Sequence, residues 1–208
     1  MITFILSMCG KPANGCTRLM GKLIYLMGPS GSGKDSILSR LRQQLHPQSR
    51  LIIAHRYITR HWQSGGENHV ELSDTEFELR KSLNLFSMHW EANQNKYAIG
   101  CEVDAWIQAK NLVLVNGSRS YLDNAKSRYK DKLIPVMVMT NESTLRSRLL
   151  ARGREDEATI ALRIQRANDY PAQISEPLHI LDNNGTLDRA VLQFELLIEQ
   201  LAKEATNA

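Results

Sequence analysis

Cysteine is scarce in this chain of 208 residues. Cys9, Cys16 and Cys101 are the only three; they stand far apart and form no C-x-x-C pair. That excludes a disulfide-stapled fold and a structural zinc site, and it fits reduced thiols in a cytoplasmic compartment. Long apolar runs are missing too. None approaches the roughly 20 residues that cross a bilayer, so no membrane partner is expected. Ile2 to Met8 is briefly apolar, but no basic segment precedes it and it is too short for a signal-peptide core. No block of Lys and Arg is interleaved with aromatics, so nucleic acid is not expected as a partner. Charge of one sign does not dominate, since 26 basic against 22 acidic residues leave a formal +4. That mild excess suits a small polyanion such as a nucleotide. With 42% apolar residues the chain can build a full core, as one domain or as a core domain with a small lobe.

Residues 1–19 show no periodic pattern and are expected to form a poorly ordered extension. A first strand spans 22–27. Ile37, Leu38, Leu41 and Leu45 then recur at helical spacing until Pro47. Residues 51–54 form a short apolar run, followed by a polar stretch from Thr59 to Asn68. Ser73-Asp74-Thr75-Glu76 reads as a capping box that opens a helix through about Leu83. Short strands are expected at 86–90 and 96–100, and a helix at 103–109. Leu112 to Val115 is an unbroken apolar run of the kind buried on both faces of a parallel sheet. Further helices are expected at 122–129, 143–151, 156–168 and 187–202, with strands at 134–139 and 178–181. The alternation of strands and helices predicts an α/β fold with a mainly parallel sheet.

Strand, glycine loop and helix meet at Gly28-Pro29-Ser30-Gly31-Ser32-Gly33-Lys34 in the order a P-loop requires. Glycines let the backbone turn tightly so that several N–H groups point inward, and the helix N-terminus behind them favours anions. Lys34 adds a full charge for the β- and γ-phosphates of ATP. The next residue is ordinarily Ser or Thr, whose hydroxyl binds Mg²⁺. Here it is Asp35, with Ser36 one later. A carboxylate beside a polyphosphate is repelled unless a cation lies between them. Asp35 is therefore a candidate Mg²⁺ ligand, against the plainer role of an acid at a helix start.

From this loop to the C-terminus the sequence resembles the guanylate kinases. His55-Arg56-Tyr57-Ile58-Thr59-Arg60 is similar to their acceptor-phosphate segment, with Arg60 at a phosphate-binding arginine. Tyr97 matches a tyrosine that touches the acceptor phosphate. Gly66 to Phe77 follows the family, as do Arg148 to Gly153 and Ile160 to Arg163, which resemble the arginine-bearing lid. The resemblance implies a nucleoside-monophosphate-kinase-like three-layer fold over residues 20–208, with an acceptor lobe at about 55–100 and a lid at about 148–166. Independently of any family, phosphoryl transfer between polyanions needs cations that neutralise the transition state. Arg148 and Arg152 share a helix face at i, i+4, and Arg163 can reach in from the next helix. Lys34, Arg148, Arg152 and Arg163 are thus the expected catalytic cations, while Arg154 and Arg166 fit a surface role equally well.

The departures from that family all fall on base recognition. A guanine pocket needs carboxylates for the N–H donors of the base. Here the first acidic position lies in Met88-His89-Trp90, with Glu91 offset, and the central strand ends in Asn116-Gly117-Ser118-Arg119 with no acid. A second phosphate arginine is replaced by Gln63, and a tyrosine by His69. Lys34-Asp35-Ser36, His55 to Arg60, Glu67-Asn68-His69 and Val115 to Arg119 together resemble the ribose 1,5-bisphosphate phosphokinases of bacterial phosphonate utilisation. That resemblance implies transfer of the ATP γ-phosphoryl to the 1-phosphate of ribose 1,5-bisphosphate, giving 5-phosphoribosyl 1-diphosphate and ADP. It implies Arg56, Arg60, Tyr97 and Arg119 as phosphate binders and His69, Asn116, Ser118 and Glu67 for the hydroxyls of a sugar phosphate. A nucleoside monophosphate kinase and a non-catalytic binding module are the alternatives. Asn183 and Asn184 are plausible neighbours of adenine, and the oligomeric state is not marked.

Overall fold

The computed structural model describes residues 21–46, 50–64, 66–153, 156–169 and 178–207. The expected extension at 1–19, Pro47 and Arg154 lie outside them. A parallel sheet is built from β1 (Lys22–Met27), β2 (Leu51–Ile53), β7 (Leu112–Asn116), β8 (Leu133–Met139) and β9 (His179–Asp182). Their order is β2-β7-β1-β8-β9, so the strand that feeds the phosphate loop is central. Leu26 on β1 pairs with Asn116 on β7, and Met27 pairs with Met137 on β8. The loops that follow β1 and β7 therefore leave the same carboxyl edge side by side, where parallel α/β sheets bind their ligands.

Period-two alternation divides the core. Leu23, Tyr25 and Met27 face one side, against Val103 and Ile107 of α3 (Glu102–Gln108) and Leu122, Ala125 and Tyr129 of α4 (Leu122–Tyr129). Ile24 and Leu26 face the other, against Ile37, Leu38 and Leu41 of α1 (Lys34–Gln44) and Val191 and Phe194 of α7 (Leu187–Asn207). Each such side chain, fully buried, contributes about 1.5–3 kcal/mol. Helices on both faces of a parallel sheet give the three-layer α/β architecture.

A second sheet orders β4-β3-β6-β5, from β3 (Tyr57–Ile58), β4 (Val70–Glu71), β5 (Phe86–Ala92) and β6 (Asn95–Gly100). The sequence pattern finds β5 and β6 but not β3 and β4, because two residues carry no period. Ser73 caps α2 (Asp74–Ser82) as expected, accepting from the Glu76 N–H at 3.1 Å. The other half of the capping box is not made, since the Glu76 carboxylate pairs with Arg80 at 2.7 Å instead. The helices α5 (Glu142–Arg152) and α6 (Glu157–Asp169) form a separate pair with its own small core of Leu145, Leu149, Ile160, Ile164 and Ala167.

One buried tyrosine positions the loop after β7. Tyr25 is fully buried, its hydroxyl donates to Ser118 O at 2.9 Å, and it accepts from Ser118 N at 3.0 Å. Its ring lies so close to Gly117 that a Cβ there would fall 2.1 Å from the ring carbon Cζ. Only glycine fits at position 117. Replacing Tyr25→Phe leaves the Ser118 amide and carbonyl without this partner. The expected cost is about 1–3 kcal/mol in urea denaturation, with a rise in acceptor KM larger than the change in ATP KM.

Candidate active site

The P-loop runs from the end of β1 to the start of α1 and holds its shape by left-handed glycines. Gly31 and Gly33 have φ of 91° and 90°. A Cβ at Gly31 would come within 2.8 Å of Leu145, and one at Gly33 within 2.3 Å of the Asn183 amide. Lys34 folds back over the loop, its Nζ donating to Gly28 O at 2.7 Å and Pro29 O at 2.9 Å, with Ser32 Oγ at 3.5 Å. Burial pulls the Lys34 pKa down to about 8; Asp35 works against that shift, and the charges of Arg56 and Arg119 add to it.

The loop opens into a cleft of about 1370 Å³. Gly28, Pro29, Ser30, Gly31, Gly33, Lys34, Asp35 and Ser36 line one end. Arg56, Arg60, Glu67, Trp90 and Tyr97 line the other, with Asn116, Ser118 and Arg119 between them. Arg152, Arg163 and Arg166 come from the helical pair. Arg166, which the sequence leaves evenly placed between a surface and a catalytic role, faces the cleft. Arg163 donates to Ser30 Oγ at 2.7 Å and so bridges α6 to the loop, while Arg119 donates to Arg166 O at 3.2 Å. Arg148 stands behind the rim, its Nη1 buried without a hydrogen-bond partner beside Gly33. Burial and then the charge of Arg152 push its pKa down. A buried guanidinium N–H without an acceptor next to an anion-binding loop is a site for a phosphate oxygen.

The end of the cleft away from the P-loop is a layered wall. Glu67 takes Arg56 bidentately, at 2.5 Å to both Nε and Nη2, and also takes Arg60 at 3.2 Å. Burial alone would raise the Glu67 carboxyl, but the Arg56 hydrogen bonds and the charges of both arginines hold it below the ordinary range. The Arg56 guanidinium lies 5.0 Å over the Tyr97 ring. On that ring Trp90 stacks at 5.8 Å with an interplanar angle of 3°, and Trp90 in turn meets Tyr121 at 5.6 Å. Asn116, at the end of β7, donates to Asp35 Oδ1 at 3.1 Å, and its own Oδ1 is buried without a partner.

Two expectations need correction, the one for His69 and the one for Asn183 and Asn184. His69 is not part of the cleft surface. Its Nδ1 lies 3.0 Å from Glu67 O and its Nε2 3.0 Å from Arg60 O, so both nitrogens are occupied in bracing the turn that carries those two residues. The Ser32 side chain is fully buried, and the loop around it is held from below. Asn183, expected near adenine, supplies that hold by donating to Ser32 O at 2.6 Å. Asn184 likewise accepts from Asn141 N at 2.7 Å, at the start of α5. Sequence reasoning also passes over Arg42, which is a basic residue on an amphipathic helix with nothing local to set it apart from Arg40.

A glycine loop on the central strand of a three-layer sheet, ringed by arginines from three directions, defines a P-loop kinase. The guanylate kinase of Anaplasma phagocytophilum has the same fold, with a TM-score of 0.66 over 91% of this chain and 90% of that one, at 15% identity. No protein-family profile matches the chain. Curated relatives do. The ribose 1,5-bisphosphate phosphokinase PhnN of Pectobacterium atrosepticum is 48% identical over 179 residues, 86% of this chain and 94% of the relative. The enzyme of the same name from Yersinia pestis is 47% identical over 179 residues, covering 86% and 92%. The chain belongs to the ribose 1,5-bisphosphate phosphokinase family, and it is an enzyme, a phosphotransferase that uses ATP.

The state of Lys34 sets a pH dependence. Bound triphosphate raises the pKa of the ammonium it pairs with, so binding takes up a proton wherever free Lys34 is neutral. ATP affinity is expected to change little between pH 7 and 8. It should then weaken above pH 8, by at most about ten-fold per pH unit. Isothermal titration across this range checks it, and Lys34→Met should abolish the slope together with most of the affinity.

Proposed function

We propose that the protein transfers the γ-phosphoryl of ATP to the 1-phosphate of ribose 1,5-bisphosphate, producing 5-phosphoribosyl 1-diphosphate and ADP in phosphonate catabolism. The observation that carries this reading is the chemistry of the acceptor end. Among the described residues lining the cleft, Asp35 and Glu67 are the only acids. Glu67 is spent on Arg56 and Arg60, and Asp35 is held by Asn116 at the P-loop. No carboxylate is left to take the N–H donors of a purine. Met88 is fully buried and Trp90 is stacked on Tyr97 at the position where a base reader would sit. Lost donors and acceptors of that kind cost orders of magnitude in discrimination. Arginines and an aromatic wall suit two phosphates on a furanose.

The reaction needs no strong base. An oxygen of the acceptor phosphate, already anionic, attacks the γ-phosphorus, and the bond from that phosphorus to the β–γ bridging oxygen breaks to release ADP. Lys34 exchanges its two loop carbonyls for phosphate oxygens. Arg148, Arg152 and Arg163 neutralise the transferring group from the helical pair, which acts as the lid. Arg60, Arg119 and Tyr97 hold the attacking phosphate in line.

Mg²⁺ fits the residues present. Among the described residues no three His, Cys, Asp or Glu side chains gather to hold a metal. Mg²⁺ does not require such a cage, since it binds one or two protein oxygens together with substrate phosphates and water. The Asp35 carboxylate and the orphan Oδ1 of Asn116 would hold it, and it would supply charge neutralisation at the β- and γ-phosphates. The ATP requirement supports a cytoplasmic location; no helix among the described residues is long and apolar enough to cross a membrane.

ADP release in the presence of ATP and Mg²⁺ tests the assignment. ADP is expected with ribose 1,5-bisphosphate and not with GMP, and the reverse result would replace this reading by a nucleoside monophosphate kinase. Arg148→Ala should lower kcat by about 10²–10³ with a small effect on acceptor KM. Asp35→Ala should raise the Mg²⁺ concentration for half-maximal rate about ten-fold, and Asp35→Ser less. An Mg²⁺ requirement unchanged in both variants removes Asp35 from the metal site.

A further inference from the structure

A second pocket of about 230 Å³ branches from the main cleft beside Arg56. Its mouth is shared with the cleft, through Asp35, Arg56, Glu67 and Asn116 among others. Its floor belongs to it alone and consists of Leu38, Arg42, Ala54 and Asn68. Arg42 is the one ionised residue of that floor. Its Nη2 donates to Ala54 O at 3.2 Å, while its Nε is buried with no hydrogen-bond partner.

A guanidinium placed this way is costly, because an N–H taken out of water without an acceptor loses its hydration for nothing in return. The acids nearby do not close the gap. Glu67 is bonded to Arg56 and Arg60, and Asp35 to Asn116, and neither makes a hydrogen bond to Arg42. Burial accordingly depresses the Arg42 pKa, with Glu67 and Asp35 offsetting only part of the effect. The floor is thus built for an anion that comes from outside the chain.

The proposed acceptor carries two phosphates at opposite ends of a five-membered ring, and only one of them can lie in line with the P-loop. We propose that the side pocket is the subsite for the other, unreactive phosphate. Arg42 is its anchoring cation, Arg56 at the mouth is shared with the reacting end, and Asn68 donates from the floor beside Arg42. This rests on the acceptor reading above and adds to it a reason for bisphosphate specificity. The furanose then spans the mouth of the pocket, between Asn116 and the Arg56–Tyr97–Trp90 stack.

The test compares two acceptors in the same enzyme. Ribose 1-phosphate carries the reacting phosphate alone, and turnover itself fixes its orientation. Initial rates with labelled ATP give kcat/KM for ribose 1,5-bisphosphate and for ribose 1-phosphate, in the wild type and in Arg42→Met. The variant is expected to lower the bisphosphate value by about 10- to 100-fold, the worth of charge-assisted hydrogen bonds, and to leave ribose 1-phosphate unchanged. An equal fall for both acceptors would show that Arg42 only supports the Ala54 carbonyl, and no fall for either would show that the pocket is not used; either overturns the subsite. Should Arg42→Met fail to fold, the wild type decides. A strong preference for the bisphosphate supports the subsite, and equal efficiencies for the two acceptors overturn it while leaving the kinase assignment standing. A wild type that phosphorylates GMP and neither sugar phosphate overturns the acceptor reading and the subsite together.

Discussion

Like charges crowded round one cleft repel each other, and the fold has to hold them in place before any phosphate arrives. Lys34, Arg56, Arg60, Arg119, Arg152, Arg163 and Arg166 all line the same space, with Arg148 just behind. In water such a cluster would spread; at the edge of a protein the mutual repulsion is less screened. The structure meets it in several ways. Two acids, Glu67 and Asp35, are placed inside the cluster. Loop carbonyls take the Lys34 ammonium, and the Tyr97 ring takes one face of Arg56. Arg148 has no partner for one of its nitrogens, so the demand is not fully met from within the described residues.

The scaffold is arranged round that demand. The central position of β1 lets one glycine loop be supported from both sides. Asn183 at the end of β9 holds Ser32 from below, and Arg163 on α6 reaches Ser30 from above. The Tyr25 hydroxyl fixes the neighbouring loop, so Asn116 and Asp35 meet where that loop adjoins the P-loop. Packing in the parallel sheet thereby determines where charge is neutralised.

Much of this was legible in the order of residues. The β1–glycine loop–α1 unit is local, and its phosphate chemistry follows from adjacent positions. The apolar runs of β7 and β8 announce a sheet covered on both faces, and the spacing of Arg148 and Arg152 places them one turn apart. What escaped reading depends on partners far along the chain. Asn183 meets Ser32 across 151 positions, and nothing beside Asn183 marks it as a brace for the loop. His69 is read as a hydroxyl binder through the resemblance carried by Glu67-Asn68-His69; its two carbonyl partners exist only once the turn from Arg60 to Glu67 has closed. Arg42 sits on a helix where a basic residue needs no explanation, and its significance comes from the pocket floor that α1 makes with Ala54 and Asn68. The strands β3 and β4 were invisible for a simpler reason, since a two-residue strand has no pattern to detect.

The stack of Trp90 on Tyr97 has a practical side as well. The chain has three tryptophans, and they occupy distinct environments. Trp62 is 59% exposed, and Trp106 packs at the margin of the core. Trp90 alone lines the cleft, with its indole parallel to a ring that carries a guanidinium on its opposite face. A ligand entering this end of the cleft meets Trp90 and neither of the other two indoles, so the change it causes in tryptophan emission, over the background of Trp62 and Trp106, reports on this end of the cleft.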